Sequence, residues 1–378
     1  MENNTVYDCA IAGGGLSGLC LAIQLADKGW RVVLFEKNTY PMHKVCGEYI
    51  SMESYGFLES LGLPLREWDL PLITELGVSA ESGFMLEAPL ALGGFGISRY
   101  TLDDALYRLA LAKGVTVITA CKVQNTLPLP GTQLVSIETS KGLFTAKIVC
   151  GSYGKYTPAF ARTQDRKETD RGRNYIGVKY HIKTDLARHR IELHNFKDGY
   201  CGVSKVDRDW YCLCYLSSAE NLRRHGNDLA ALEDQVLCKN PHLKRYFQDA
   251  EFVNRQPLSI SNIQFREKQS YNGHLFLLGD AAGTISPLCG NGMSMGMRAS
   301  QLLASHIQSY LQGKLTHQAL VNGYRQAWRE AFHRRIQTGY YLQGLFGKKI
   351  ATHVALKTLH LLPGLTQKII SMTHGQPF

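Results

Sequence analysis

The sequence predicts an α/β protein: a doubly wound dinucleotide-binding sheet, an inserted antiparallel sheet, and helices towards the C-terminal end. Three observations predict it. A strand, glycine turn and helix occupy Asp8 to Gly18; four strand-like runs follow one another between Asn174 and Ser217; and a second strand, turn and helix lies at His274 to Arg298.

Val6 to Ala12 is the apolar, partly β-branched run of an internal parallel strand. Gly13, Gly15 and Gly18 give the G-x-G-x-x-G spacing, with Gly13 for the tight turn, Gly15 for close approach of a pyrophosphate and Gly18 for helix packing. Leu16 to Asp27 continues at helical period, so its first amides, with Ser17 among them, face the phosphates. Trp30 to Phe35 is the next strand, and Glu36 closes it where a carboxylate accepts hydrogen bonds from ribose hydroxyls. Lys37 to Val45 is a loop that carries Lys44 and leads into Cys46, Gly47 and Glu48, read either as a functional turn or as a plain glycine turn with an exposed acid.

Glu53 to Leu61 is helical and stops at Gly62 and Pro64. Leu70 to Ile97 breaks into short apolar runs, which predicts strands leaving the first sheet for a second. Arg99 opens a helix with Leu102, Leu106, Leu109 and Ala110 inward and Lys113 with Gly114 as its stop. Val115 to Ala120 is a strand, Gln133 to Ser140 and Gly142 to Val149 form a hairpin, and Gly151 to Lys155 is another glycine turn.

The runs YIGVKYHIK, HRIELHNF, GYCGVSKV and WYCLCYL alternate as strands of an antiparallel sheet, the natural place for substrate. Tyr200, Ser204 and Lys205 lie along one of them, with His181 and His194 in its neighbours; the competing reading is the polar face that alternation demands anyway. Asp228 to Cys238 and Pro241 to Phe247 are helical, and Val253 to Phe265 is expected to extend back to the first domain.

Leu275 to Leu278 is a buried strand with Gly279 and Asp280 at its carboxyl end and a glycine-rich loop entering a helix near Gly292. An Asp there can hold ribityl hydroxyls, and the amides of Gly290, Asn291, Gly292 and Met293 can stabilise negative charge on a reduced ring. A nicotinamide dehydrogenase needs no such distant element, so the two turns together argue for FAD held as a prosthetic group.

Composition is that of an ordinary globular chain. The 42 basic and 32 acidic residues give +10, which suits anionic partners. The basic residues come as scattered pairs, so nucleic acid is not expected. Ten cysteines without a C-x-x-C pair or a regular framework fit a reducing cytoplasm and imply no metal site; Cys9, Cys20, Cys121 and Cys150 are expected in the core. From Thr316 the chain is helical, basic over Ala327 to Ile336, with Leu356, Leu359 and Leu362 on one apolar side of Val354 to Ile370 before Pro363 and Gly364 break it. That tail reads either as a helical cap on the substrate domain or as a basic amphipathic segment lying on a bilayer.

The motifs DxxIxGGGxxG, Arg99-xx-Leu-Asp-xx-Leu and GDAAGxxxPxxGxGM together resemble the p-hydroxybenzoate hydroxylase-like flavoprotein superfamily over roughly residues 5 to 330. Cys46 to Glu48 and Gly199 to Lys205 look most like its geranylgeranyl reductase branch and the related bacterial FAD-dependent monooxygenases. The resemblance implies an FAD-binding Rossmann-like domain of the glutathione reductase type over residues 1–75, 99–160 and 270–315. It implies a substrate domain over 76–98 and 170–269 and a helical region over 316–378. It gives Gly13, Gly15, Ser17, Gly18, Glu36, Lys37, Lys44, Arg99, Val123, Gly279 and Asp280 as FAD contacts, and sets Pro287 and Gly290 to Met293 against the isoalloxazine. Where the hydroxylases carry Asp-Gly this chain reads Ser152, Tyr153, Gly154; where the reductases carry Trp it reads Gly202; and the W-x-W-x-I-P segment of the halogenases is missing.

The function expected from the resemblance is an NAD(P)H-dependent monooxygenase that hydroxylates an aromatic or polyketide-derived, lipid-like ring through a flavin hydroperoxide. His181, Tyr200 or Lys205 would be the base. The alternative is reduction of an alkene in a prenyl or other lipid, with Cys46 or Glu48 relaying the proton. A flavin halogenase and a flavin-bearing binding protein without turnover complete the set.

Overall fold

The computed structural model describes residues 5–162, 174–263, 268–284 and 290–378. β1 (Val6–Ala12) is buried beyond its first residue, as a strand flanked on both sides must be. It passes through the glycine turn into α1 (Leu16–Asp27) and on to β2 (Val32–Phe35), which runs parallel to it with Cys9 opposite Val32.

The chain then leaves this sheet. β3 (Tyr49–Ser51), α2 (Tyr55–Leu61) and the hairpin of β4 (Leu72–Ser79) and β5 (Met85–Gly96) come next. Although residues 1–75 were expected in the first domain, β3 and the start of β4 are strands of the second sheet, because Tyr49 to Ser51 and Leu72 to Ile73 pair with β5. α3 (Arg99–Ala112) returns the chain, capped by the Ser98 hydroxyl, which accepts from the Thr101 N–H, and buries Leu102, Leu106 and Ala110. β6 (Thr116–Ile118) extends the first sheet beside β2.

β7 (Val123–Pro128), β8 (Val135–Thr139) and β9 (Gly142–Gly151) form an antiparallel meander. The predicted hairpin is there, but its second arm does more than pair back: the fully buried end, Ile148 to Gly151, runs parallel to β1 in the centre of the sheet.

β10 (Tyr175–Lys183), β11 (Arg190–Phe196), β12 (Gly199–Lys205) and β13 (Tyr211–Ser218) are the four predicted strands. Around them stand α4 (Ala219–Arg224), α5 (Leu229–Gln235), α6 (Pro241–Asp249), β14 (Glu251–Phe252) and β15 (Leu258–Ile263). β15 does not run back to the first domain as expected, because it finds its partner in β10. The second sheet has the order β14-β10-β13-β12-β11-β4-β5-β3. Period-two alternation divides its faces. Ile176, Val178, Tyr180 and Ile182 pack outward under Leu232 of α5 and Leu243 and Tyr246 of α6, leaving Gly177, Lys179 and His181 on the inner face.

β16 (Tyr271–Asn272) and β17 (Leu275–Leu277) complete the first sheet, whose order is β16-β17-β9-β1-β2-β6. α7 (Gly292–Leu311) packs on α1, and α8 (His317–Leu345) buries Leu320, Tyr324, Trp328, Phe332 and Ile336 at helical spacing. α9 (Lys349–Leu361) and α10 (Pro363–Thr373) finish the described chain. Pro363 does end α9, as expected, and it also opens α10, where its missing N–H costs nothing. No described helix is long and apolar enough to cross a membrane. Cys9, Cys20, Cys121 and Cys150 are buried free thiols.

Candidate functional site

The order β17-β9-β1 sets three carboxyl ends side by side, each followed by a turn. At Gly13, φ is +112° and a Cβ would meet the Ser152 carbonyl oxygen at 2.3 Å; at Gly18 it would meet the Gly13 carbonyl oxygen at 2.2 Å. These two glycines are steric necessities. Gly15 differs, since a Cβ there would find only Lys44 Nζ, 3.9 Å away.

The first turn of α1 begins at Gly15 with no side-chain cap and no acidic residue. Amides without a partner among the described residues, an open Cα and the Lys44 ammonium, which also pairs with Asp103, form a seat for an anion, and this is the donor set a dinucleotide pyrophosphate requires. Gly279 and Gly296 close on the same place, each leaving room for Ser17 Oγ, which their Cβ atoms would meet at 2.6 and 2.3 Å. Asp280, in the turn that follows β17, is therefore brought to the glycine seat from the far end of the sequence.

Glu36 is buried, with Oε2 accepting from the Gly14 N–H at 2.8 Å and Oε1 from the Asn38 N–H at 3.0 Å. Tyr40 donates its hydroxyl to the Gly14 carbonyl at 2.5 Å. Val123 opens β7 close by, since the Cys121 N–H bonds to the Glu36 carbonyl at 2.9 Å. Lys37 is exposed.

Arg99 spends its guanidinium on Asp103, with both contacts at 2.8 Å, and Lys44 reaches the same carboxylate at 2.9 Å. Burial pushes the Asp103 carboxyl up, but Arg99 and Lys44 outweigh it and hold it below the usual carboxylate range. Asp103 was read from sequence only as part of the Arg99-xx-Leu-Asp-xx-Leu motif and was given no role, although its place one helical turn after Arg99 is an i, i+4 pair.

At the other end of the crevice the structure unites three of the five candidate catalytic residues. Glu48, fully buried and at φ +56°, accepts from the Arg99 N–H at 2.8 Å, lies 2.7 Å from His181 Nε2, and takes the ammonium of Lys179 on Oε1. Lys179 Nζ also donates to the Lys44 carbonyl at 3.2 Å. His181 stacks on Trp210 at 5.2 Å between ring centroids. Cys46 lies alongside, its carbonyl receiving the Cys212 thiol at 3.2 Å and its own Sγ 3.6 Å from Met293 Sδ at the start of α7.

Burial pushes Glu48 up, but the bond from His181 and the charge of Lys179 outweigh it, so its pKa lies below the usual carboxylate range. Lys179 is pulled down by burial and raised further by the sulfur of Cys212 and by Glu48, with the net shift upward. Burial raises the Cys212 thiol itself well above its ordinary value, so Glu48 is the anion that holds Lys179 charged at neutral pH. Lys179 was missed from sequence: in YIGVKYHIK it is one polar residue of an alternating strand.

The inner face is laid out in rows by strand register. Lys179, Cys214, Gly202 and Leu193 form one; His181, Cys212, Ser204 and Ile191 form the next on one side, and Gly177, Leu216 and Tyr200 on the other. Cys214, Gly202 and Leu193 are only partly buried, and a Cβ on Gly202 would touch little beyond Leu193 at 3.4 Å, so the middle row is an open floor. Tyr200 stands on this face but at its apolar end, against Leu216 and the ring of Phe346. Lys205, at odd spacing from Tyr200, points to the opposite face and donates to the Arg208 carbonyl at 2.9 Å. His194 also faces away, buried against His242 and Tyr246 and 2.9 Å from Ser79 Oγ.

Above the floor, Gly290 at φ +65° packs on the Tyr49 ring, and Asn291 precedes α7, whose first turn has no side-chain cap. Asn291 Nδ2 bonds to the Thr373 carbonyl, while its Oδ1 is buried with no partner among the described residues. Pro287 lies outside the described residues. An uncapped helix start, an orphan amide oxygen and the glycine seat across the crevice fit the two ends of FAD.

Two domain families match the chain: an NAD(P)-binding Rossmann-like domain over residues 11–42 and an FAD binding domain over 206–337. Conditioned medium factor receptor 1 of Dictyostelium discoideum is 26% identical over 88% of this chain and 69% of its own length. Menaquinone reductase of Mycobacterium tuberculosis is 23% identical over 86% of this chain and 82% of its own length. Among solved structures, the flavin-dependent brominase Bmp2 aligns with a TM-score of 0.78 at 18% identity, covering 98% of this chain and 93% of that one. PqsL of Pseudomonas aeruginosa, described as a probable FAD-dependent monooxygenase, aligns at 0.73 and 16% identity over 94% and 100%.

Proposed function

We propose, from the premise that the chain is an FAD-dependent oxidoreductase of the p-hydroxybenzoate hydroxylase-like superfamily, that it hydroxylates an electron-rich, lipid-like aromatic ring. Its cofactors are FAD and a nicotinamide reductant. The flavin supplies the redox chemistry, with NAD(P)H as electron source and dioxygen as co-substrate. The chain's own residues bind, orient and move a proton.

In this reading Gly15, Ser17 and the α1 amides hold the pyrophosphate with Lys44. Glu36 and Asp280 take the ribose and ribityl hydroxyls, and Gly290 to Met293 lie along the ring. The observation that carries the proposal is the Glu48–Lys179–His181 cluster at the edge of an otherwise apolar, open floor. With Nε2 of His181 engaged by Glu48, Nδ1 carries the lone pair that accepts a phenolic proton. Lys179 keeps Glu48 ionised, so the imidazolium that forms has its counter-charge in place. Gly202 and Cys214 leave room for the ring, and Leu216, Tyr200 and Phe346 receive an alkyl chain.

A second reading, saturation of a double bond in a prenyl or quinone lipid, is favoured by Cys46 at the floor and by the similarity to menaquinone reductase. Oxygen uptake separates the two. With NAD(P)H and a panel of alkylresorcinols, quinones and prenyl lipids, hydroxylation consumes one dioxygen per product, whereas alkene reduction proceeds anaerobically. Halide-dependent product would mark a halogenase, and bound FAD with no substrate-stimulated NAD(P)H oxidation would mark a binding protein. Either outcome rejects the proposal.

A further inference from the structure

The last two helices carry apolar side chains on their outer faces as well as on the inner faces, where Leu356, Leu359 and Ile370 pack against the body. α9 buries Thr352 with Leu356 and exposes Ile350, Val354 and Leu361 at 79%, 57% and 76%. α10 buries Thr366 and Thr373 while exposing Leu365 and Met372. A surface helix ordinarily keeps its outer face polar. The inward threonines are satisfied, each hydroxyl donating 2.7 Å to a backbone carbonyl: Thr352 to Leu345, Thr366 to Leu359 and Thr373 to Ile370. The polar-in packing is thus a settled arrangement that leaves no unmet hydrogen bond.

Ile350, Val354, Lys357 and Leu361 fall within a sector of about 60° at the helical 100° per residue. Residues 331 to 378 contain no Asp or Glu, while Arg334, Arg335, Lys348, Lys349, Lys357 and Lys368 supply six cations. Arg335 is engaged by Glu53, and Lys349 lies 3.5 Å from Glu81. The side chains of Lys348, Lys357 and Lys368 make no ion pair among the described residues.

We propose that the outer face of α9 and α10, with the exposed Tyr340, Tyr341 and Leu345 at the end of α8, rests on the surface of an anionic phospholipid bilayer. Apolar side chains flanked by lysines suit the boundary between headgroups and acyl chains, where tyrosine is also favoured. A two-fold contact with a second copy is disfavoured by the same composition, because it would set lysine against lysine. Leu342 near the end of α8 and Phe346 just after it also pack against the cluster of Tyr175, Tyr200, Leu216 and Ile263, with the Phe346 ring edge-on to Tyr200. The docked face therefore adjoins the apolar end of the floor, and delivery of a lipid-like substrate from the bilayer rests on the functional reading above; docking does not.

The test is co-sedimentation of the full, FAD-loaded chain with vesicles of phosphatidylcholine alone or mixed with phosphatidylglycerol, at low and high salt. The expected result is binding to the anionic vesicles that weakens with salt. Ile350→Ser with Leu361→Ser should lower the partition coefficient roughly tenfold or more. Lys357→Gln and Lys368→Gln should each lower it about fivefold. Visible absorbance of bound FAD and circular dichroism should be unchanged in all variants. Wild-type protein remaining in the supernatant, or variants binding like wild type, would overturn the proposal. So would a concentration-dependent dimer, seen without vesicles, that the apolar variant abolishes. Vesicle binding is read without turnover, so it stands or falls apart from the assigned chemistry.

Discussion

The phosphate end of the crevice centres on a glycine turn whose residues are neighbours in sequence, with Ser152, Gly279 and Gly296 packed against it from afar, whereas the Glu48 cluster is made wholly of residues 131 and 133 positions apart. At the first end the constraint is steric: Gly13 and Gly18 leave no room for a Cβ, because backbone carbonyls occupy the space. At the second it is electrostatic: one carboxylate with no exposure is balanced by an ammonium and an imidazole. Damage at the two ends should therefore differ in kind.

The largest effect is expected at the glycines. Gly13→Val should yield no folded flavoprotein, since it combines a left-handed backbone with a carbonyl clash. Gly15→Val should leave the melting temperature nearly unchanged while weakening FAD retention roughly tenfold or more, because its side chain would occupy the pyrophosphate's place. Equal loss of stability in both variants would erase the distinction between a steric glycine and a ligand-facing one. Gel-filtration recovery, thermal melts and visible absorbance of the purified proteins decide it.

Next comes Lys179→Met, which strands a buried carboxylate and should cost about 3–5 kcal/mol. Adding Glu48→Gln to it should return much of that loss, a recovery that denaturant midpoints would reveal. If the single variant is as stable as wild type, the cluster is not held by charge balance.

His181→Ala sharpens the comparison from the chemical side. Folding and FAD content should persist while kcat falls about 10²- to 10⁴-fold, the usual worth of a general base. Lys205→Ala, on the opposite face, should leave kcat alone.

The smallest effect is in the pH dependence of stability. Burial pushes Glu192 up, but His194, Tyr246 and Arg190 outweigh it and bring it down to about 2. Glu48 is likewise lowered. A carboxylate held below its unfolded value of 4.5 contributes stability that is complete above that pH and is lost as pH falls towards its folded value. Acid titration of unfolding should therefore steepen from about pH 4.5 to about pH 2, and Glu192→Gln should flatten it.

The sequence made the phosphate end legible because a turn that forbids Cβ leaves glycines at fixed spacing, and Asp280 after Leu275–Leu277 repeated the signal. It also gave the second sheet, since alternation in YIGVKYHIK and its neighbours is a local property. It was silent on which polar residues of that sheet converge. His181 and Lys205 read alike as polar strand residues, and only register sends one to Glu48 and the other to the far face. Arg99 was legible as important, yet its side chain serves Asp103.

The tail shows the same limit more sharply. Leu356, Leu359 and Leu362 were expected on one apolar side, but Leu356 is 3% exposed and Leu362 49%. Hydrophobic spacing tells which residues share a helical face and not which face meets the protein, because that choice depends on what the rest of the fold presents to the helix.

By itself, then, the amino-acid order determined the local conformations: where the backbone must turn without a Cβ, where a strand must alternate, where a helix must stop. Tertiary structure alone decided that Lys179 neutralises Glu48, that Gly202 floors an open space, and that threonines of α9 and α10 face inward. The physical reason is range. Turn and propensity constraints act between residues near in sequence, whereas charge compensation, burial and close approaches such as Gly13 to Ser152 act between surfaces that exist only once the chain has folded.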